Sequence, residues 1–133
     1  GPPCYCGKRG CMETCCSTTA LLLPNETLED FFRHLRNGIV SYQERWTKYL
    51  SYLAIAIDNL HMVIDYDIIL GGTIAPYINE NDIEILLTRI RNTSAFPTER
   101  HYISTAVNAK IPIACGAALP YIKNFLKHLV NEY

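Results

Sequence analysis

The chain has 133 residues, a formal net charge of −1, 49% hydrophobic residues and 19% charged residues. That length is enough for one domain with its own core, and the composition excludes a disordered chain. No basic stripe marks a free-standing nucleic-acid binder, and neither a charged-then-apolar leader nor an apolar run of about 18 residues points to secretion or membrane insertion.

The first ten residues of interest are Cys4-Tyr5-Cys6-Gly7-Lys8-Arg9-Gly10-Cys11-Met12-Glu13. Cys4, Cys6 and Cys11 are spaced C-x-C-x4-C. Cys4 and Cys6 are next-but-one neighbours, too poorly placed to bridge each other, because a disulfide wants Cα atoms about 5.5–6 Å apart with converging Cβ vectors. Gly7 and Gly10 permit the positive φ that folds such a loop back on itself. Tetrahedral zinc takes four ligands, with sulfur at about 2.3 Å, and this loop supplies three. Six cysteines also raise the alternative of a disulfide scaffold. Against it, only Cys115 is remote, Cys15 and Cys16 are adjacent, and the rest of the chain can build a core without staples. The spacing suits a metal, and a cytoplasmic location follows from that reading. Asn25-Glu26-Thr27 and Asn92-Thr93-Ser94 match the glycosylation sequon, a pattern short enough to arise by chance.

In chain order, a helix is predicted over residues 12–23, ended by Pro24 and Asn25. Thr27 then caps a short helix with acids in its first turn and an apolar face of Phe31, Phe32 and Leu35; Asn37-Gly38 stops it. The strongest periodic signal is Tyr42, Trp46, Tyr49, Leu50, Leu53, Ile57, Leu60 and Ile64, one face of a helix over residues 41–65. Its middle, residues 53–57, is apolar almost all round, which implies burial on more than one side. Residues 67–70 read as a buried parallel strand ended by Gly71-Gly72. Asn81 and Glu84 form a predicted capping box for a helix to residue 92, with Leu86, Leu87 and Ile90 inward. Residues 102–105 form a second strand. Pro112 demotes residues 110–113 to a loop or strand edge, and a last helix over 116–130 turns Leu119, Ile122, Phe125, Leu126 and Leu129 inward, with Pro120 in its first turn or kinking it. The expected fold is α/β, helix-rich, with a small and incomplete sheet that needs a larger partner structure.

Cys4-x-Cys6-Gly7-x-x-Gly10-Cys11-x-Glu13, running into a helix with Ser17, resembles the signature of the ROK family of bacterial sugar kinases and sugar-responsive repressors. The resemblance weakens beyond this loop but reaches the C-terminus. It implies a partial ribonuclease-H-like, actin-like lobe, with residues 1–133 as one domain from the C-terminal part of the second lobe and residues 1–13 as its zinc loop. In that family a structural zinc is held by the three cysteines and a histidine upstream of them, here a ligand outside this chain. The fourth position is otherwise open to water, Cys15, Cys16 or a neighbouring chain. The match assigns Glu13 to binding of a sugar or amino sugar; the competing reading is a carboxylate favoured by a helix dipole. Gly71 and Gly72 match a turn beside the nucleotide in the kinases, or form only a tight turn. Thr73 stands where the kinases often carry a further glycine. Two functions follow from the resemblance: the sugar-sensing and dimerisation region of a regulator, its DNA-binding part absent from this chain, or part of an ATP-dependent sugar kinase. A homodimer is expected, no membrane contact, and no catalytic residue within this chain. His34, His61, His101 and His128 have no ligand spacing, and Asp65 and Asp67 read as solvated.

Overall fold

The computed structural model describes residues 1–106 and the helix Pro112–Asn131, with side chains of that helix described over 117–127. Helix α1 (Met12–Cys16) leads into α2 (Thr18–Leu21), followed by α3 (Leu28–Arg36) and α4 (Val40–His61). Strand β1 (Ile68–Leu70), a 3-10 turn (Ala75–Tyr77), α5 (Glu80–Thr93), β2 (Ile103–Thr105) and α6 (Pro112–Asn131) complete the order.

Helix α4 has 22 residues, about 33 Å at 1.5 Å per residue. Of the predicted stripe, Trp46, Tyr49, Leu50, Leu53 and Ile57 are buried. Against them pack Phe31 and Phe32 of α3, and Ile83, Leu86, Leu87 and Ile90 of α5. Strands β1 and β2 are parallel, with Ile68 opposite Ile103 and Leu70 opposite Thr105. This is the α/β, helix-rich arrangement with an incomplete sheet that the sequence predicts.

Several local expectations shift. The helix predicted over 12–23 is broken at Ser17, whose backbone is extended and whose hydroxyl caps α2 by accepting from Ala20 N–H. A hydroxyl side chain competes well for a free amide, so a new cap forms inside the run. The capping box lies two residues earlier than predicted, on Asn79 and Asp82. Two overlapping Asn-x-x-acid pairs exist here. The earlier one also buries Asp82, 5% exposed, where it accepts a hydrogen bond from Trp46 Nε1 at 2.8 Å. Pro112 opens α6 instead of ending a strand edge, because its missing N–H costs nothing in the first helical turn. Lys110 and Ile111 lie outside the described residues. Pro120 falls well inside α6.

Exposure departs from expectation at one set of positions. Ile55, Leu60 and Ile64 are exposed, as are Leu119, Ile122, Phe125 and Leu126 of α6. Ile69 of β1, predicted buried, is 67% exposed. These apolar side chains have no cover among the described residues.

The loop between α2 and α3 is tied to α4 by one charged cluster. Arg45 meets Glu26 Oε2 at 2.5 Å and also donates to the Leu21 carbonyl. Its guanidinium lies 4.8 Å from the centre of the Phe31 ring. The Glu26 side chain is only 10% exposed. Hydrogen bonding from Arg45, which outweighs the opposing effect of burial, holds its carboxyl down to about 2. A carboxylate depressed in the folded state stabilises above its unfolded value, and that stabilisation is lost as pH falls toward the folded value. Glu26→Gln is expected to cost about 1.5–3 kcal/mol at pH 7. The gap from the parent chain should narrow as pH drops from about 4.5 toward about 2, read as urea midpoints across that range.

Candidate metal and ligand site

Residues 2–10 fold into a tight hairpin. Pro3 and Arg9 form an antiparallel bridge, Cys4 N–H donates to Lys8 O at 2.8 Å, and Gly10 N–H donates to Pro2 O at 2.8 Å. The turn closes with Gly7 N–H on Cys4 O at 3.0 Å. Gly7 has φ 83° and Gly10 φ 68°, the left-handed values that the two glycines were expected to supply. The hairpin returns the chain so that Cys11 faces the first two cysteines.

The Sγ atoms of Cys4, Cys6 and Cys11 lie within 4.8 Å of one another, and those of Cys6 and Cys11 are 3.6 Å apart. Tetrahedral bonds of about 2.3 Å put sulfurs about 3.8 Å apart, so the three thiols are already close to the edges of one coordination shell. All five described cysteines are free, which sets the disulfide scaffold aside for them. Cys15 does not join the cluster; its Sγ lies beside Thr14 Oγ1 at 3.8 Å. The thiols perturb each other. Hydrogen bonding from the Lys8 amide, then from Cys4 and Cys11, pulls Cys6 below its usual value. Cys6 and then Cys4 push Cys11 up to about 11. The three thiols thus lie close enough to perturb one another's protonation.

Cys11 is the N-cap residue of α1, and its carbonyl accepts from Thr14 N–H at 2.9 Å and Thr14 Oγ1 at 2.8 Å. Glu13 therefore sits in the first turn of α1, exposed, immediately after the third thiol. It lines a shallow cleft of about 350 Å³ with Tyr5, Thr14, Ser17 and Thr19. Thr14 and Thr19 escaped the sequence reading; the signal was the hydroxyl-rich run from Thr14 to Thr19. Ser17 Oγ and Thr19 Oγ1 lie 2.8 Å apart, so the cleft presents a carboxylate beside exchangeable hydroxyls.

Gly71 and Gly72 follow β1 at its carboxyl end. Gly72 has φ 82°, and no atom lies within 4 Å of where a Cβ would stand on either glycine. Gly71 lines a larger apolar groove of about 740 Å³ that also meets Gly10 and Met12 of the cysteine loop. The cysteine loop and the start of the diglycine turn thus border one depression. Asp65 and Asp67 are exposed and share Arg100 at 3.5 and 2.5 Å, an ordinary surface arrangement.

The model of the family described as ROK matches residues 1–109. The chain belongs to the ROK family. A solved structure, a ROK hexokinase from Thermus thermophilus, superposes with a TM-score of 0.70 at 24% identity, covering 92% of this chain and 44% of that one. The fold of this ROK chain is thus part of an actin-like α/β lobe. It spans under half the length of the hexokinase it matches. No curated protein sequence matches it. No described helix is long and apolar enough to cross a membrane.

The ROK loop is anchored to the core through Tyr49, whose hydroxyl donates to Cys16 O at 2.6 Å. Burial, with the Cys16 thiol beside it, pushes Tyr49 up to about 12, so it remains a donor throughout the neutral range. Burial likewise pushes Cys16 up to about 11, which keeps it an unreactive thiol. Tyr49→Phe should cost about 1 kcal/mol and loosen the end of α1. The expected readout is faster alkylation of Cys16 than in the parent chain, followed by mass spectrometry at fixed pH.

Proposed function

We propose that this chain is the sugar-recognising part of a ROK protein, in which a structural zinc on Cys4, Cys6 and Cys11 fixes the loop that presents Glu13 to a sugar or amino sugar. The observation that carries this reading is the convergence of three sulfurs directly ahead of the helical turn bearing Glu13, beside a hydroxyl-lined cleft. An ionised carboxylate accepts hydrogen bonds from adjacent sugar hydroxyls, and neighbouring Ser and Thr hydroxyls both donate and accept. The fourth zinc ligand comes from outside this chain. When bound, zinc supplies cross-linking of the loop and no chemistry on the sugar.

Cobalt(II) titration tests the metal. One equivalent is expected, with the intense near-ultraviolet absorption of thiolate–cobalt charge transfer. Cys11→Ser should lose at least one order of magnitude in affinity. Binding should weaken as pH falls, because the thiols must shed protons to ligate. Titration with glucose and N-acetylglucosamine, followed by amide shifts, tests the sugar. Shifts are expected at Glu13, Ser17 and Thr19 in the zinc-loaded chain, and Glu13→Ala should abolish them. Shifts elsewhere and none at Glu13 would defeat the assignment.

Within the family, the reading we favour is the sugar-sensing and dimerisation region of a transcriptional regulator, with DNA contacted by residues outside this chain. Thr73 supports it: it stands, exposed, just after Gly71-Gly72 where the family's kinases often carry a further glycine, and its side chain adds bulk near the carboxyl end of β1, where α/β folds seat ligands. The second reading, part of an ATP-dependent sugar kinase, draws support from the hexokinase neighbour. The two separate on addition of ATP and magnesium. The regulator reading expects no amide shifts at Gly71 and Gly72; specific, saturable shifts there would favour the kinase.

A further inference from the structure

Two thiols of the cysteine loop already touch. The Sγ atoms of Cys6 and Cys11 are 3.6 Å apart, and a disulfide bond is about 2.05 Å long, so closure needs a movement of about 1.5 Å shared between two side chains. Neither side chain is packed against that movement. Cys6 is exposed and is followed by Gly7, where no atom lies within 4 Å of a Cβ position. Cys11 is preceded by Gly10 at φ 68°. Although Cys11 is the N-cap residue of α1, its side chain makes no cap hydrogen bond.

The other pairings are poorer. Cys4 and Cys6 are next-but-one neighbours, badly placed to bridge. Cys4 is also partly buried, and its amide is bonded to Lys8 O at 2.8 Å, which ties its backbone to the opposite arm of the hairpin. Cys15 and Cys16 are adjacent within α1, and Cys15 Sγ lies beside Thr14 Oγ1. Among the three thiols of the cluster only Cys6 is fully exposed, so a dissolved reagent meets it first.

From this contact we infer that Cys6 and Cys11 form a reversible oxidation site, which reacts with a small-molecule disulfide of the glutathione class and closes to an intramolecular disulfide. The Cys6 thiol gives its proton to solvent and its sulfur attacks one sulfur of the reagent. The reagent's S–S bond breaks, and one glutathione leaves as a thiolate that takes up a proton. Cys11 then loses its proton and attacks Cys6 Sγ in the mixed disulfide, which expels the second glutathione and forms the Cys6–Cys11 bond. Two protein thiols are oxidised and one glutathione disulfide is reduced to two thiols. The oxidised loop keeps only Cys4 of its three clustered thiols, too few to hold a cation. Exclusion of the cation rests on the zinc reading above; the disulfide itself does not.

The test treats the reduced, metal-free 133-residue chain with oxidised glutathione, then digests it with trypsin without reductant. Trypsin cuts at Lys8 and Arg9, between the two thiols. The oxidised monomer should therefore yield the Cys6 peptide joined to the Cys11 peptide, with fragmentation placing the link on those two residues. Dithiothreitol should separate them again. Cys4→Ser should keep the link. Cys11→Ser should lose it and accumulate glutathione on Cys6, at least about tenfold above the parent chain, because the resolving thiol is gone. One equivalent of cobalt(II), added first, should slow the linkage at least about tenfold. Absence of joined peptides, a link through Cys4, or a link only between two chains would overturn the inference. So would an unslowed linkage in a chain that has bound cobalt. A chain that binds no cobalt yet forms the Cys6–Cys11 link would defeat the zinc reading and support the oxidation site.

Discussion

Trp46 joins three elements, and their relative positions depend on it. Its ring stacks on Tyr49 with centroids 5.3 Å apart and meets Phe32 of α3 edge-on at 5.0 Å. Its Nε1 donates to Asp82, which in turn caps α5. A buried carboxylate costs several kcal/mol unless donors surround it, and here the indole and the Asn79 amide supply them. The same side chain that completes the cap thus fixes the helix to the core. Tyr49, held beneath Trp46, then reaches the Cys16 carbonyl and fastens the N-terminal loop. Packing in the core is transmitted to the candidate site through two adjacent aromatic rings on one face of α4.

What could be read from the sequence follows from the range of the interactions involved. The hairpin at residues 2–10 is local: two glycines, three thiols and short backbone bonds decide it, and the spacing alone was enough. The α4 core face was equally legible, because periodicity over 22 residues averages out local ambiguity. The capping box was displaced because two Asn-x-x-acid frames overlap, and only the long-range bond from Trp46 to Asp82 selects between them. The break at Ser17 has a similar origin, since a single hydroxyl reset the helix start where the apolar pattern ran on.

The exposed apolar residues carry a different lesson. Leu60, Ile64, Ile69 and the Leu119–Leu126 face of α6 all have the composition of a core and none of its burial. Apolar periodicity reports that a surface is to be covered, not that the covering group lies in the same stretch of chain. The incomplete sheet and the uncovered helix faces are one kind of observation, apolar surface without cover among the described residues.

The N-terminal loop poses the converse problem. From Gly1 to Gly10 only Cys4 is even partly buried, so packing contributes little to its order. Its backbone bonds are few and solvent-facing, and each contributes about 1 kcal/mol net at most. Fixing ten residues costs about 1–2 kcal/mol of backbone entropy per residue, which those bonds do not match. The role proposed for Glu13 therefore calls for a further interaction that holds the loop. Three thiols at near-coordination spacing are what the loop has to offer, and their bonds to one cation would cross-link both arms of the hairpin to the first residue of the Glu13 turn. In the proposed reading the exposure of the loop and the convergence of its sulfurs belong together: where the core does not reach, ligation of a cation would take its place.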